Sequence, residues 1–203
     1  PQSEQTRIEL KELASVESQI LTPAQHKPII SLVQYTCVGS YLFTRYDNFL
    51  TKDEILDIMI DITSFTGNLP EPEIIKGTKL KELNNRYPNF PDYKYETPTI
   101  QDLWSGRQII SLILPSINLY KKNKSHEHFE NDNSKNGKKM QDQNTVDIYN
   151  GNVKGGVFDK NLVGSSSSGL IHIIFNEYGK DIAQKFLDDM QNLITNWVLK
   201  SGF

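Results

Sequence analysis

The chain has 203 residues, enough for one good core or a core with a small satellite, and carries 22 Lys and Arg against 25 Asp and Glu, a formal net charge of −3. That balance argues against a free-standing nucleic-acid binder, which shows a basic footprint, but leaves room for a few local contacts. A lone cysteine, Cys37, excludes an internal disulfide and a thiolate zinc cluster, so a reducing compartment is expected. No apolar run reaches the roughly 18 residues needed to span a bilayer, and no charged segment followed by an apolar one opens the chain as a secretory leader would. The first residue is Pro1 rather than Met, so a piece of a longer chain is expected.

Ser3 suits a helix N-cap, and Glu4 suits the positive end of the helix that follows. Ile8, Leu13, Val16 and Ile20 fall at approximately helical spacing, until Leu21-Thr-Pro23 breaks the pattern. Ile29 to Tyr46 reads as strand then helix. Thr51-Lys-Asp-Glu54 is a capping-box pattern, and Ile55, Met59 and Ile62 give its helix a stripe to bury. Gly67 to Pro98 holds most of the prolines, so an irregular path is expected there. Thr99-Ile-Gln-Asp102 looks like another helix start, with Leu103, Ile109, Ile110 and Leu114 apolar and Pro115 as the stop.

From Lys121 to Asn144 the chain is rich in Asn, Lys and Asp, with few residues able to pack; such a segment cannot offset its ordering entropy and is expected to be disordered. It separates Ile117-Asn-Leu119 from Val146-Asp-Ile-Tyr149, so it reads as a long loop between two strands. Asn150-Gly-Asn-Val and Lys154-Gly-Gly-Val-Phe158 supply hairpin chemistry. In the last helix Ile182, Phe186, Met190, Leu193 and Trp197 recur every three or four residues. Ala183, Leu187, Ile194 and Val198 widen that stripe, and Lys180, Asp181, Asp188 and Gln191 lie opposite. The fold class is α+β: helices at both ends around a small mixed or antiparallel sheet, with a long disordered insertion.

Few residues carry chemistry on their own. His126-Glu-His128 offers two imidazoles, short of the three or four convergent ligands a metal site needs, and reads as part of a polar insertion. Gly164-Ser-Ser-Ser-Ser-Gly169 lacks the Gly-x-Ser-x-Gly spacing of a nucleophile elbow, and His172 is too near in sequence for a typical triad base. A small-residue turn opening a helix is the better reading, with a helix N-terminus that favours an anion as the functional version of it. Cys37, flanked by apolar and aromatic residues, reads as a structural thiol. Lys121, Lys122, Lys124, Lys138 and Lys139 form a patch diluted by acids and amides, the mark of a solvated loop.

One ordered series is more specific. Pro1-Gln-Ser-Glu…Thr6-Arg…Glu9-Leu10 is followed by Gln19-Ile-Leu-Thr-Pro23…Lys27-Pro28-Ile-Ile and Val33-Gln34…Gly39. Pro72-Glu-Ile-Ile-Lys76, Leu103-Trp-Ser-Gly-Arg-Gln-Ile-Ile110 and Leu114-Pro115 continue it. Lys160…Val163-Gly-Ser-Ser166…Gly169-Leu-Ile-His172 and Trp197…Gly202-Phe203 complete it. In this order the segments resemble the largest subunit of multisubunit DNA-directed RNA polymerases, of the polymerase II type, in the stretch after the catalytic Asn-Ala-Asp-Phe-Asp-Gly-Asp loop.

The resemblance implies the pore domain, which in the family lines the channel taken by incoming nucleoside triphosphates and backtracked RNA. It implies 1–66 as a helical segment after the active-site loop, 67–98 as a Pro-rich connection, and 99–203 as the pore part with the 121–144 loop. The metal-binding aspartates would lie upstream of Pro1, so no catalytic residue and no Mg2+ ligand is expected here, and the chain alone is expected to be inactive. Lys160 stands at the family's basic position before Val-Gly-Ser-Ser, and Arg107 matches the basic residue of the Trp-x-Gly-basic-Gln run. With Ser165 and Ser166 they are the candidates for contact with RNA or triphosphate phosphates. Asn161 replaces a second residue that is commonly basic. Implied partners are the second-largest subunit, a small auxiliary subunit at the pore, template DNA, the transcript and nucleoside triphosphates, with no membrane. The nucleus is the expected compartment, or a cytoplasmic viral factory if the Asn and Lys bias reflects a large DNA virus. A rival reading is a non-catalytic module that docks a protein through the amphipathic last helix.

Overall fold

In the computed structural model, which describes residues 2–77, 101–123, 143 and 145–202, Ser3 caps helix α1 (Glu4–Glu12) as expected, accepting from the Thr6 N–H at 3.2 Å. The apolar series behind it does not behave as one stripe. α1 buries no residue; Ile8, Leu13 and Val16 are exposed, and only Ile20, beyond a 3₁₀ turn at Val16–Gln19, enters the core. The reason is that the helix stops at Glu12, so the four side chains do not share a face. A short ribbon follows, β1 (Leu21–Thr22) against β2 (Lys27–Pro28), and then α2 (Gln34–Phe43).

Thr51 starts α3 (Lys52–Ile58) with the full capping box: Thr51 N–H donates to Glu54 Oε2 at 2.8 Å, and Glu54 N–H returns to Thr51 Oγ1 at 3.4 Å. The expected stripe of Ile55, Met59 and Ile62 is buried, joined by Ile58. Before α3, β3 (Phe49–Leu50) pairs antiparallel with β4 (Trp104–Ser105). The helix start read at Thr99–Asp102 lies partly outside the described residues; from Gln101 on no helix has begun, for Leu103 bridges Ile74, Trp104 and Ser105 are strand, and α4 (Gly106–Ser111) begins only after them. The cap is Ser105, whose N–H donates to Gln108 Oε1 at 3.2 Å. Position 106 must be glycine, because a Cβ there would lie 2.0 Å from the Phe43 carbonyl oxygen. α4 also ends before Pro115, which therefore is not its stop.

Strands β5 (Leu119–Lys122), β6 (Thr145–Tyr149) and β7 (Asn152–Gly155) form an antiparallel sheet in that order. Every strand pairing among the described residues is antiparallel. The β6–β7 hairpin turns on Asn150 and Gly151 at φ 49° and 76°, the left-handed pair that a two-residue hairpin loop requires. Val146, Ile148 and Val153 face the core. Lys121 and Lys122 belong to β5, so the strand runs two residues further than the loop boundary read at 121, where alternation of side chains was hidden by the lysines. The rest of that insertion apart from Asn123 and Gln143, with its expected disorder and His126-Glu-His128, lies outside the described residues, as do 78–100.

Three helices close the chain: α5 (Lys160–Val163), α6 (Leu170–Tyr178) and α7 (Lys180–Ser201). One hydrophobic cluster runs from Ile20 to Trp197 and takes in α2, α3, α4, the sheet and α7. Each fully buried Ile, Leu or Phe in it contributes about 1.5–3 kcal/mol relative to exposure. Trp197 meets Phe43 of α2 edge-on, with centroids 5.3 Å apart at 72°. The stripe of α7 is buried but for a half-buried Val198 near its end and two clearer departures. Ile182, in the first turn, lies on the rim of a groove with Leu114 and Pro115 and stays 40 % exposed. Asp189 is wholly buried within the stripe: its carboxylate accepts from Thr63 N–H (3.0 Å), Thr63 Oγ1 (3.0 Å), Ser64 N–H (3.1 Å) and Ser64 Oγ.

Candidate functional site

The approach to Lys160 is set by Thr44, a fully buried residue at the C-terminal end of α2. Its hydroxyl donates to Ser40 O at 2.8 Å and accepts from Phe158 N–H at 2.8 Å, which fixes the segment leading into α5. Asp159 then caps α5, taking the Leu162 N–H at 2.9 Å, and Lys160 becomes the first helical residue. At the other end of α5, Leu32 N–H reaches Val163 O at 3.3 Å and Ser31 Oγ lies 3.1 Å from Ser165 Oγ. Two chain segments far apart in sequence are thereby held side by side.

Between them lies a groove of about 670 Å³. Leu32, Val33, Cys37, Val38 and Tyr41 make its apolar part, and Ser31, Gln34, Asp159, Lys160, Gly164 and Ser165 its polar part. A mostly apolar cleft of this size with a few convergent polar groups has the make-up of a binding site. Gln34 adds a second mark. It starts α2 at φ 50°, a left-handed conformation that a glutamine adopts only at a cost, and such outliers cluster at functional sites. The Cys37 thiol reports on the charges: burial pushes its pKa up, the Lys160 ammonium pulls it down and Asp159 pushes it up again. It is a poor nucleophile at neutral pH.

Behind the groove, the serine-rich turn is fastened to the sheet by Lys121. Its ammonium donates to Ser168 O at 2.9 Å, Ser168 Oγ at 3.1 Å and Asn161 O at 3.2 Å. The lysine read from sequence as part of a solvated loop is thus a positioning residue. Asn161, where a second cation was expected, accepts a weak bond from Ser166 Oγ at 3.4 Å.

Of the four candidates, the structure brings Lys160 and Ser165 to one groove. Lys160 is exposed there, while Ser166 is half-buried on Asn161 and outside the groove lining. Arg107 sits elsewhere: from α4 its Nε–H donates to Thr44 O at 2.9 Å, satisfying the C-terminal end of α2. Ser31, Gln34 and Lys121 were missed. Alternation of side chains about Leu119 and Tyr120 could have signalled Lys121, but nothing local distinguishes Ser31 or Gln34. The serines of the turn do not converge on His172; Ser165, Ser166 and Ser168 meet Ser31, Asn161 and Lys121 respectively.

The family model for RNA polymerase Rpb1, domain 3, matches residues 19–203. The chain belongs to that family. The Rpb1 domain is a segment of the largest subunit of DNA-directed RNA polymerase, a nucleotidyltransferase, and the partners of that enzyme are its other subunits, DNA and RNA. The match covers the whole groove and leaves α1, which buries none of its residues, outside. Polymerases of this family use Mg2+. Among the described residues of the Rpb1 domain, no three His, Cys, Asp or Glu side chains gather where they could hold a metal ion. No described helix is long and apolar enough to cross a membrane.

Proposed function

We propose that this domain lines the channel through which nucleoside triphosphates reach the polymerase active centre and backtracked RNA leaves it, with Lys160 facing their phosphates. The observation that carries the reading is the placement of Lys160 and Ser165 on one groove, beside the left-handed Gln34, in a chain of the Rpb1 family. A lysine is a compact, mobile point charge that attracts phosphate without demanding one geometry, which suits a passage rather than a tight site. The hydroxyls of Ser31 and Ser165 can donate to the same oxygens, and the apolar wall offers nothing that would arrest a passing chain. Asp159 lines the same groove, so its carboxylate offsets part of the attraction of Lys160 for phosphate while it also caps α5 through the Leu162 N–H. Arg107 serves the site at one remove, by holding α4 to the end of the helix that walls the groove.

The rival docking reading has less to stand on, since most of the apolar stripe of α7 is buried in the core. The test is Lys160→Ala in the assembled enzyme. Pausing and the cleavage of backtracked transcripts should change more than basal nucleotide addition. Unchanged pausing and cleavage would remove Lys160 from the role.

A further inference from the structure

Val157 and Phe158 carry the chain from the sheet toward Lys160, and they belong to no helix or strand. Their backbone groups must therefore find partners elsewhere, because an unpaired N–H or C=O in the interior is costly. Three distant residues supply them. Val157 N–H donates to Gln143 O at 3.0 Å, Val157 O accepts from Asn123 Nδ2–H at 2.7 Å, and Phe158 N–H donates to Thr44 Oγ1 at 2.8 Å. Gln143 reaches further, for its Oε1 accepts from Tyr46 N–H at 3.3 Å, just past the end of α2. Six polar or charged side chains are buried among the described residues, and three of them, Thr44, Asn123 and Gln143, meet on this one stretch. The side chains of Val157 and Phe158 are buried too, so apolar packing already retains the segment and the polar frame adds direction. Asn123 makes the case most sharply. Its Oδ1 is buried with no partner among the described residues, so the side chain stands there for its N–H in spite of an unpaired acceptor.

We propose that Asn123 and Gln143, together with Thr44, are positioning residues for Lys160, holding the Val157–Phe158 backbone so that the ammonium is presented to the groove from a fixed origin. A lysine side chain is long and flexible, so a protein fixes its reach only by fixing where it starts. Asp159 caps α5 directly after the framed stretch, and Lys160 is the first residue of that helix. Thr44 and Tyr46 lie at the end of α2, the helix that carries Cys37 and Tyr41 on the opposite wall. The frame thus sets Lys160 relative to that wall. Without one of its members the two apolar side chains still hold the segment in the core, but its backbone is free to turn. The inference rests on the proposed phosphate role of Lys160 for its effect on transcription; the placement of the ammonium stands apart from that role.

The Cys37 thiol lies on the same groove and feels the Lys160 charge, which makes it a reporter of where the ammonium sits. Asp159 acts on the thiol with the opposite sign and moves with the same segment, so a double-mutant cycle is the measure. Alkylation of Cys37 by iodoacetamide is followed against pH in the 203-residue chain, with near-UV circular dichroism to check the fold. Lys160→Ala is introduced into the wild type and into Asn123→Leu, which keeps the volume and removes the donor. The slowing caused by Lys160→Ala should be at least about twofold smaller in Asn123→Leu, as coupling within one hydrogen-bond network requires. Thr44→Val should diminish it in the same way, and Thr44→Ser, which retains the acceptor for Phe158 N–H, should restore it. An undiminished slowing in folded Asn123→Leu overturns the proposal, as does a wild-type thiol indifferent to Lys160→Ala. Should Asn123→Leu fail to fold, Gln143→Met decides in the same cycle, since it removes the bond from Tyr46 and leaves the Gln143 carbonyl in place. A smaller slowing there supports the frame, and an undiminished one overturns it. In the assembled enzyme, Asn123→Leu should shift pausing and transcript cleavage in the direction of Lys160→Ala and add nothing to that variant. A diminished thiol effect beside normal pausing and cleavage upholds the positioning and removes the phosphate role, so either reading can fail alone.

Discussion

Replacing Asp189 by alanine tests whether the buried carboxylate organises the turn at Thr63 and Ser64, after α3, or merely occupies space. Four donors converge on it, two backbone N–H groups and two hydroxyls of Thr63 and Ser64. The hydroxyls can rotate to water, Thr63 being exposed; the two amides are fixed by the backbone. A hydrogen bond to a charged acceptor contributes about 1.5–3 kcal/mol, so the amides alone set about 3–6 kcal/mol. Removing a carboxylate from the interior returns part of that through its desolvation. The expected loss is about 3 kcal/mol. Urea unfolding followed by tryptophan fluorescence reads it directly, through Trp104 and Trp197. With a slope near 2 kcal/mol per molar, the midpoint should fall by about 1.5 M. A fall below about 0.5 M at unchanged slope would refute the reasoning, because it would mean that water replaces the carboxylate at little cost.

Three further outcomes are expected. Gly106→Ala should destabilise by about 3 kcal/mol or more, since the new Cβ meets a backbone carbonyl that cannot rotate away; a thermal shift of less than about 3 °C would contradict it. Thr51→Ala should lose about 1 kcal/mol of the α3 cap, measured by the same urea titration, and Thr51→Ser should retain most of it. Cys37 should alkylate slowly at neutral pH and speed up only above the ordinary thiol range. Lys160→Ala should slow it further, because the lysine's charge is what opposes the upward shift. The sign for stability follows: the unfolded chain loses the thiol proton first, so the contribution of Cys37 is complete below the unfolded pKa and declines as pH rises through the folded one. A Cys37 alkylation rate that is unchanged in Lys160→Ala would place the two groups further apart than the groove has them.

Where a structural decision is made by neighbouring residues, the sequence was a sound guide. Ser3 and the Thr51–Glu54 box mark helix starts because the cap and its partner lie within one turn, and Asn150-Gly151 marks a hairpin because the turn needs positive φ. Decisions made by distant packing were not legible. Ile8 and Val16 have the composition of a buried stripe, but no described element covers them. Asp188 and Asp189 are adjacent and chemically alike, yet one is solvated and the other wholly buried, because only the second meets Thr63 and Ser64. Leu103 lies in a strand bridge rather than in a helix begun before it because Ile74 supplies a partner from earlier in the chain. At the site, Lys160 and Ser165 were legible through the ordered resemblance. Ser31 and Gln34 were not, since their place depends on the bond from Leu32 to Val163 across the fold.

The grip of Lys121 on the serine-rich turn has a mechanical consequence. β5 leads directly into the long insertion, and the ammonium of Lys121 is its link to Ser168 and Asn161, next to the groove. A load placed on the chain beyond Asn123 is therefore passed to the turn that carries Ser165 through this four-carbon tether, and toward Lys160 through the bond from Asn123 Nδ2–H to Val157 O at 2.7 Å. Cutting the tether with Lys121→Met would leave the strand and the second link in place and weaken the coupling between the insertion and the serine-rich turn.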